Sequence, residues 1–136
     1  MDPALLDTDI LSEVLKQRNA TVAAKALTYF QQHLRFTISR ITRYEVLRGH
    51  LIKNAHRALW RFEQFCRLNV VISVDDPVLD RAAELWAIGQ AGGHPCGDAD
   101  LFIAATALEF QLVLVTSNTA HFSWIPGLKL ENWRNS

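Results

Sequence analysis

Four places along the chain set oxygen-bearing side chains at the end of an apolar run or on the helix after it. They are Asp7, Glu45, the pair Asp98 and Asp100, and Asn118. In a parallel α/β fold the carboxyl ends of the strands share one edge, so residues this far apart in sequence can meet there. Carboxylates gathered at such an edge repel one another. Two unit charges about 4 Å apart interact by roughly 4 kcal/mol at an effective dielectric of about 20. A divalent cation among them removes that repulsion, and a hard ion with oxygen ligands and retained waters suits these residue types.

The elements that must position these groups follow from hydrophobic pattern. Strand-like apolar pieces fall at residues 4–6, 34–38, 70–74 and 112–115, with a weaker one at 128–130. Between them lie helical patterns. One runs from Val22 to Phe30 with apolar residues at helical spacing. Ser39 or Thr42 can cap a helix carrying Glu45, with Gly49 as its stop. Leu59, Trp60, Phe62 and Phe65 suggest one apolar stripe, and Pro77 suits the first turn of the helix containing Val78, Leu85 and Trp86. Asp98 can cap a helix over residues 100–108, whose N-terminal end favours anions. Strands alternating with helices predict an α/β fold, a short, mostly parallel sheet with helices on both faces.

A chain of 136 residues sets one domain, 1–136, able to bury a core without disulfides. A hydrophobic fraction of 49% and a charged fraction of 21% are ordinary for a soluble globular protein. No stretch has membrane-span length, and Met1-Asp2-Pro3 lacks a secretory signal's flank, so a cytoplasmic location is expected. Cys66 and Cys96 stand alone in sequence, which indicates neither zinc nor a disulfide framework. The zero net charge hides an asymmetry: residues 1–70 carry 11 Lys/Arg against 6 Asp/Glu, and residues 71–136 carry 3 against 8. A polyanion can track the basic half, or the charges can form a solvated helical face. The balanced total argues against strong nonspecific nucleic-acid binding.

Five pieces in order resemble the PIN-domain nucleases, and most closely the VapC-type toxins of bacterial toxin–antitoxin pairs. They are Leu5-Leu6-Asp7-Thr8-Asp9-Ile10-Leu11, Ile38-Ser39-Arg40-Ile41-Thr42-Arg43-Tyr44-Glu45-Val46-Leu47-Arg48-Gly49 and Asp100-Leu101-Phe102-Ile103-Ala104-Ala105-Thr106-Ala107. Leu114-Val115-Thr116-Ser117-Asn118-Thr119-Ala120-His121-Phe122 and Ile125-Pro126-Gly127-Leu128-Lys129-Leu130-Glu131-Asn132-Trp133 complete the series. The resemblance implies a PIN-like fold and an endoribonuclease in which Asp7, Glu45 and Asp100 hold Mg²⁺ or Mn²⁺ and activate water. Asp7 and Asp100 are then direct ligands, while Glu45 is either a ligand through water or a base. It further implies a homodimer, an RNA substrate of the tRNA or ribosomal class, and a small antitoxin partner that supplies DNA binding.

The chain departs from that pattern at one place. Relatives often carry a further acid where Asn118 or His121 stands; here Asn118 can orient a water, and Asp98 can supply the missing charge. Asp9 reads as a cap of the following helix. Ser39 and Thr116 can touch metal or phosphate, or serve as capping hydroxyls. His121 can meet a scissile phosphate or be an ordinary hydrogen-bonded histidine, and His33, His50, His56 and His94 show no metal-ligand spacing. The four tryptophans read as core or interface groups, and Arg40 and Arg43 as phosphate grips or ion-pair partners.

Two other readings compete. Asp7-Thr8-Asp9 after a strand is similar to the opening motif of haloacid-dehalogenase phosphatases. Leu11 stands where those have Thr or Val, and Lys53 is the lone lysine between Glu45 and Asp98. A PIN-like binding subunit that has lost its metal is the other.

Overall fold

The structure is a computed structural model that describes residues 1–135. Twelve elements follow in order: β1 (Ala4–Leu6), α1 (Thr8–Lys16), α2 (Ala20–His33), β2 (Thr37–Ser39), α3 (Arg40–Ile52), α4 (His56–Leu68), β3 (Val70–Ile72), α5 (Asp76–Gly92), α6 (Asp98–Glu109), β4 (Val113–Val115), α7 (Thr119–Phe122) and β5 (Leu130–Glu131). All strand pairs among the described residues are parallel. β4 lies between β1 and β5, β2 pairs with β3, and β1 packs beside β2. The α/β expectation of a short parallel sheet therefore stands, split into two ladders.

The pleat sorts the core. Ala4, Leu6 and Val115 face α1, α2 and the buried rings of Tyr29, Phe62 and Trp133. Leu5 and Leu114, one residue out of phase, face α5 and α6 through Val78, Leu85, Leu101 and Ile103. Both faces of β1 and β4 are thus covered, which is why these strands read as unbroken apolar runs. Each fully buried Leu contributes about 1.5–3 kcal/mol over an exposed one. Among the described residues no helix is long and apolar enough to cross a membrane.

Several local expectations need correction. The second strand starts at Thr37, because Leu34 closes α2 in the left-handed region at φ 66°. Gly49 does not stop α3; the helix runs on to Ile52, with Asn54 at positive φ beyond it. A mid-helix glycine costs only about 1 kcal/mol, which packing of α3 on α4 readily offsets. Asp98 is the first residue of α6 rather than its cap, a position held by Gly97. Trp60 leaves the α4 stripe and is exposed, whereas Phe62 is buried.

Candidate functional site

Asp7 stands where β1 turns into α1. Its backbone N–H completes the ladder to the Val115 carbonyl at 2.9 Å, which fixes its place beside β4. Its side chain is nearly buried and accepts two hydrogen bonds, from the Thr8 N–H at 2.8 Å and from the Thr116 hydroxyl at 2.9 Å. The Asn118 N–H in turn donates to the Thr116 hydroxyl at 3.1 Å, which orients that hydroxyl's proton toward Asp7. These bonds favour the charged form, yet burial and the nearby Asp9 and Asp100 carboxylates push Asp7 up to about 6. No Lys or Arg among the described residues pairs with it.

Glu45 comes from α3, whose N-cap is Ser39, its hydroxyl accepting from the Ile41 N–H at 3.1 Å. Thr8 then joins two elements. Its N–H holds Asp7, and its hydroxyl donates to Glu45 Oε1 at 2.8 Å, beside Thr42 Oγ1 at 3.2 Å. Glu45 Oε2 lies 3.8 Å from Arg48, a loose contact at the exposed rim. Asp100 sits in the first turn of α6, half-exposed, with Oδ2 3.0 Å from His121 Nε2. That same nitrogen lies 3.5 Å from Cys96 Sγ. Burial and the Asp100 charge push the Cys96 thiol up to about 11.

Thr8 thus links Asp7 to Glu45, and Asp100 lies near enough for its charge to act on Asp7. Asp98 is exposed and lines a largely apolar groove between α5 and α6 with Leu79, Trp86 and Phe102. Asn118 is exposed and leads into α7 without a side-chain capping bond. Asp7, not Asp9, is the N-cap of α1. Asp9 accepts from the Ile10 N–H through Oδ1 and from the Ser117 N–H and hydroxyl through Oδ2, so it fastens α1 to the end of β4. Arg40 and Arg43 pair with no carboxylate among the described residues. They line a groove of about 580 Å³ with Arg67, Glu63 and Cys66. Trp133 is core, Trp60 and Trp86 are half-exposed or more, and Trp124 stacks on His94.

Sequence reading missed Thr8 and Cys96. Thr8 touches Glu45 across 37 positions, and Cys96 meets His121 across 25, so no spacing rule along the chain reaches either. The one available signal for Thr8 was a hydroxyl at the first helical position beside a capping acid.

Known proteins carry the same arrangement of elements. The family model of the PIN domain matches residues 4–127. Ribonuclease VapC1 of Haemophilus influenzae (strain R2866) is 29% identical over 95% of this chain and 96% of its own length. The tRNA(fMet)-specific endonuclease VapC of Salmonella typhimurium is 33% identical, over 73% and 76% respectively. In the crystal structure of DNA-bound VapBC from Salmonella typhimurium, one chain superposes with a TM-score of 0.84 at 28% identity. That match covers 98% of this chain and 99% of the other.

Proposed function

The chain belongs to the PIN-domain family, in its VapC branch, and from that premise we propose that it is a divalent-metal-dependent endoribonuclease, the toxin half of a toxin–antitoxin pair. The observation that carries the reading is the state of Asp7. Held by Thr8 and Thr116 at the end of β1, lifted to about 6 by burial and then by Asp9 and Asp100, and paired with no Lys or Arg among the described residues, this carboxyl group gains most from a bound cation. The donor set fits a hard cation, Mg²⁺ or Mn²⁺, with Asp7 and Asp100 as its direct ligands and several positions left to water. When bound, such an ion lowers the pKa of water and stabilises negative charge on the phosphate.

The chain's own residues do the rest. Thr116 and Thr8 hold Asp7 in one rotamer, each using one lone pair of one carboxylate oxygen and leaving the second for an ion. Thr8 occupies Glu45 Oε1, which leaves Oε2 to accept a proton from the attacking water or to orient it. Asn118 offers an uncharged amide at the rim, and Asp98 adds negative charge from the neighbouring groove without ligation. Arg40, Arg43 and Arg67 supply a cationic track on which an RNA backbone rests.

A cognate antitoxin covers the exposed apolar side chains of α3 and α4, Tyr44, Leu51, Ile52 and Trp60. Support for that partner is the likeness to the toxin chain of a VapBC complex. The chain pairs as a homodimer, and DNA contact comes through the antitoxin. The test is to sequence RNA ends after brief expression of wild type and Asp7→Asn. Discrete new ends in the wild type alone are expected. Identical ends in both, together with no Mg²⁺ effect on the wild-type melt, leave a non-catalytic PIN-like subunit instead.

A further inference from the structure

Cys96, Asp100 and His121 place one sulfur, one oxygen and one nitrogen within 4.8 Å of one another. A single atom, His121 Nε2, faces both neighbours, Asp100 Oδ2 at 3.0 Å and Cys96 Sγ at 3.5 Å. One ring nitrogen has one in-plane proton or one lone pair, so it serves one of these partners well and not both. A metal ion between them serves all three. Zn²⁺ bonds of about 2.3 Å to sulfur and about 2.0–2.1 Å to nitrogen and oxygen, at tetrahedral angles, set S···N at about 3.5 Å and N···O at about 3.3 Å. The S···N distance of 3.5 Å equals that span, the N···O distance of 3.0 Å is about 0.3 Å inside it, and all three atoms lie within 4.8 Å of one another.

Two further contacts hold the sulfur and nitrogen ligands in register. Cys96 lies in the turn between α5 and α6, and His94 of that turn stacks face to face on Trp124, with ring centres 5.5 Å apart. Trp124 Nε1 donates to the His121 carbonyl at 3.0 Å, so one indole ties the cysteine-bearing turn to the histidine-bearing helix. Gly89 permits this approach, since a Cβ there would stand 2.7 Å from the His94 carbonyl oxygen and 2.9 Å from Trp124. All three ligands are half-exposed, which leaves an entry path and room for a water as fourth ligand.

We propose that Cys96, Asp100 and His121 form a binding site for Zn²⁺, separate in chemistry from the oxygen-only site at Asp7 and sharing Asp100 with it. Soft thiolate and imidazole donors select zinc over magnesium. The cysteine proton leaves to solvent as the ion enters. Zinc takes Asp100 Oδ2, the oxygen that faces His121, and the charge it draws from that carboxylate weakens Asp100 as a ligand of the hard cation. That competition alone rests on the proposed function; the zinc site itself does not.

The chain of residues 1–136, stripped by a chelator, is titrated with Co²⁺ as a spectroscopic stand-in for Zn²⁺. One equivalent produces a thiolate-to-cobalt charge-transfer band that Zn²⁺ bleaches. Cys96→Ser abolishes the band, and His121→Gln weakens binding at least tenfold, no less than the loss of an outer-shell partner does. Cys66→Ser keeps both. No band in the wild type, a band that survives Cys96→Ser, or one lost in Cys66→Ser overturns the site. In parallel, one equivalent of Zn²⁺ removes the Mg²⁺-dependent rise in melting temperature. A rise that zinc leaves untouched overturns the sharing of Asp100. No rise with Mg²⁺ at all counts against the nuclease reading and leaves the cobalt result standing.

Discussion

Asp7 and Cys96 both border Asp100, and the chain holds them in contrasting ways. Asp7 ends a strand inside the sheet, carries two hydrogen bonds from Thr8 and Thr116, and is nearly inaccessible. Cys96 sits on a turn, half-exposed, packed at the margin of the α5–α6 core, and that turn is stapled by His94 stacked on Trp124. The Asp7 side offers oxygen alone at the end of a buried strand; the Cys96 side offers sulfur and nitrogen on a half-exposed turn and a short helix. The difference teaches that an ion's hardness and the stiffness of its ligands are set by separate parts of the fold. Here they meet at one shared carboxylate.

Breaking the stiff side gives the largest effect. Asp7→Asn is expected to reduce RNA cleavage on the order of a thousandfold, read as the rate on a purified RNA. It also stabilises the metal-free protein. Folding lifts Asp7 from 3.8 to about 6, so the native state disfavours its charge. That penalty is absent below about pH 3.8, grows between there and 6, and is complete above. At pH 7 it amounts to about 3 kcal/mol. The melting temperature of the variant therefore exceeds that of the wild type above pH 6, and the gap closes as the pH falls toward 4. A gap independent of pH would sink the assignment.

The loose side is broken through its packing. Gly89→Ala forces a methyl group against the His94 carbonyl and Trp124, at about 1–3 kcal/mol in stability by chemical denaturation. Cobalt binding should weaken more than the Mg²⁺ response, because the disturbance reaches Cys96 and His121 and leaves Thr8 and Thr116 in place. Equal losses in both would mean that the two sides move as one body.

Thr8→Val sharpens the contrast from the other direction. It removes the donor to Glu45 Oε1, at about 1 kcal/mol in stability and roughly tenfold in Mg²⁺ affinity by calorimetry, the cost of losing an outer-shell partner. Cobalt binding is expected to be unchanged. Asn118→Ala is the smallest: its exposed side chain makes no capping bond, and the melt should move by less than about 0.5 kcal/mol. A larger loss would give the Asn118 amide a structural role.

How much of this could be read from the residues differs between the same two regions. Asp7 and Asp100 lie at an apolar run's end and a helix's start, where local pattern and topology agree, so their meeting was legible. Thr8 and Cys96 act through partners far along the chain, and only the packing of α3 on α1 and of α7 on the α5–α6 turn reveals them. The element boundaries missed for another reason. Gly49 is a helix interior because tertiary contact outweighs a weak propensity, and Leu34 takes a left-handed closing position that its apolar type does not announce.

The indole at position 124 has one more consequence. Its ring lies parallel to an imidazole with centres 5.5 Å apart, and an imidazole that close alters the emission of the indole. The molecule therefore carries its own optical gauge: in a variant whose other indoles are replaced by phenylalanine, the brightness of this fluorophore reports whether the two segments it staples have parted.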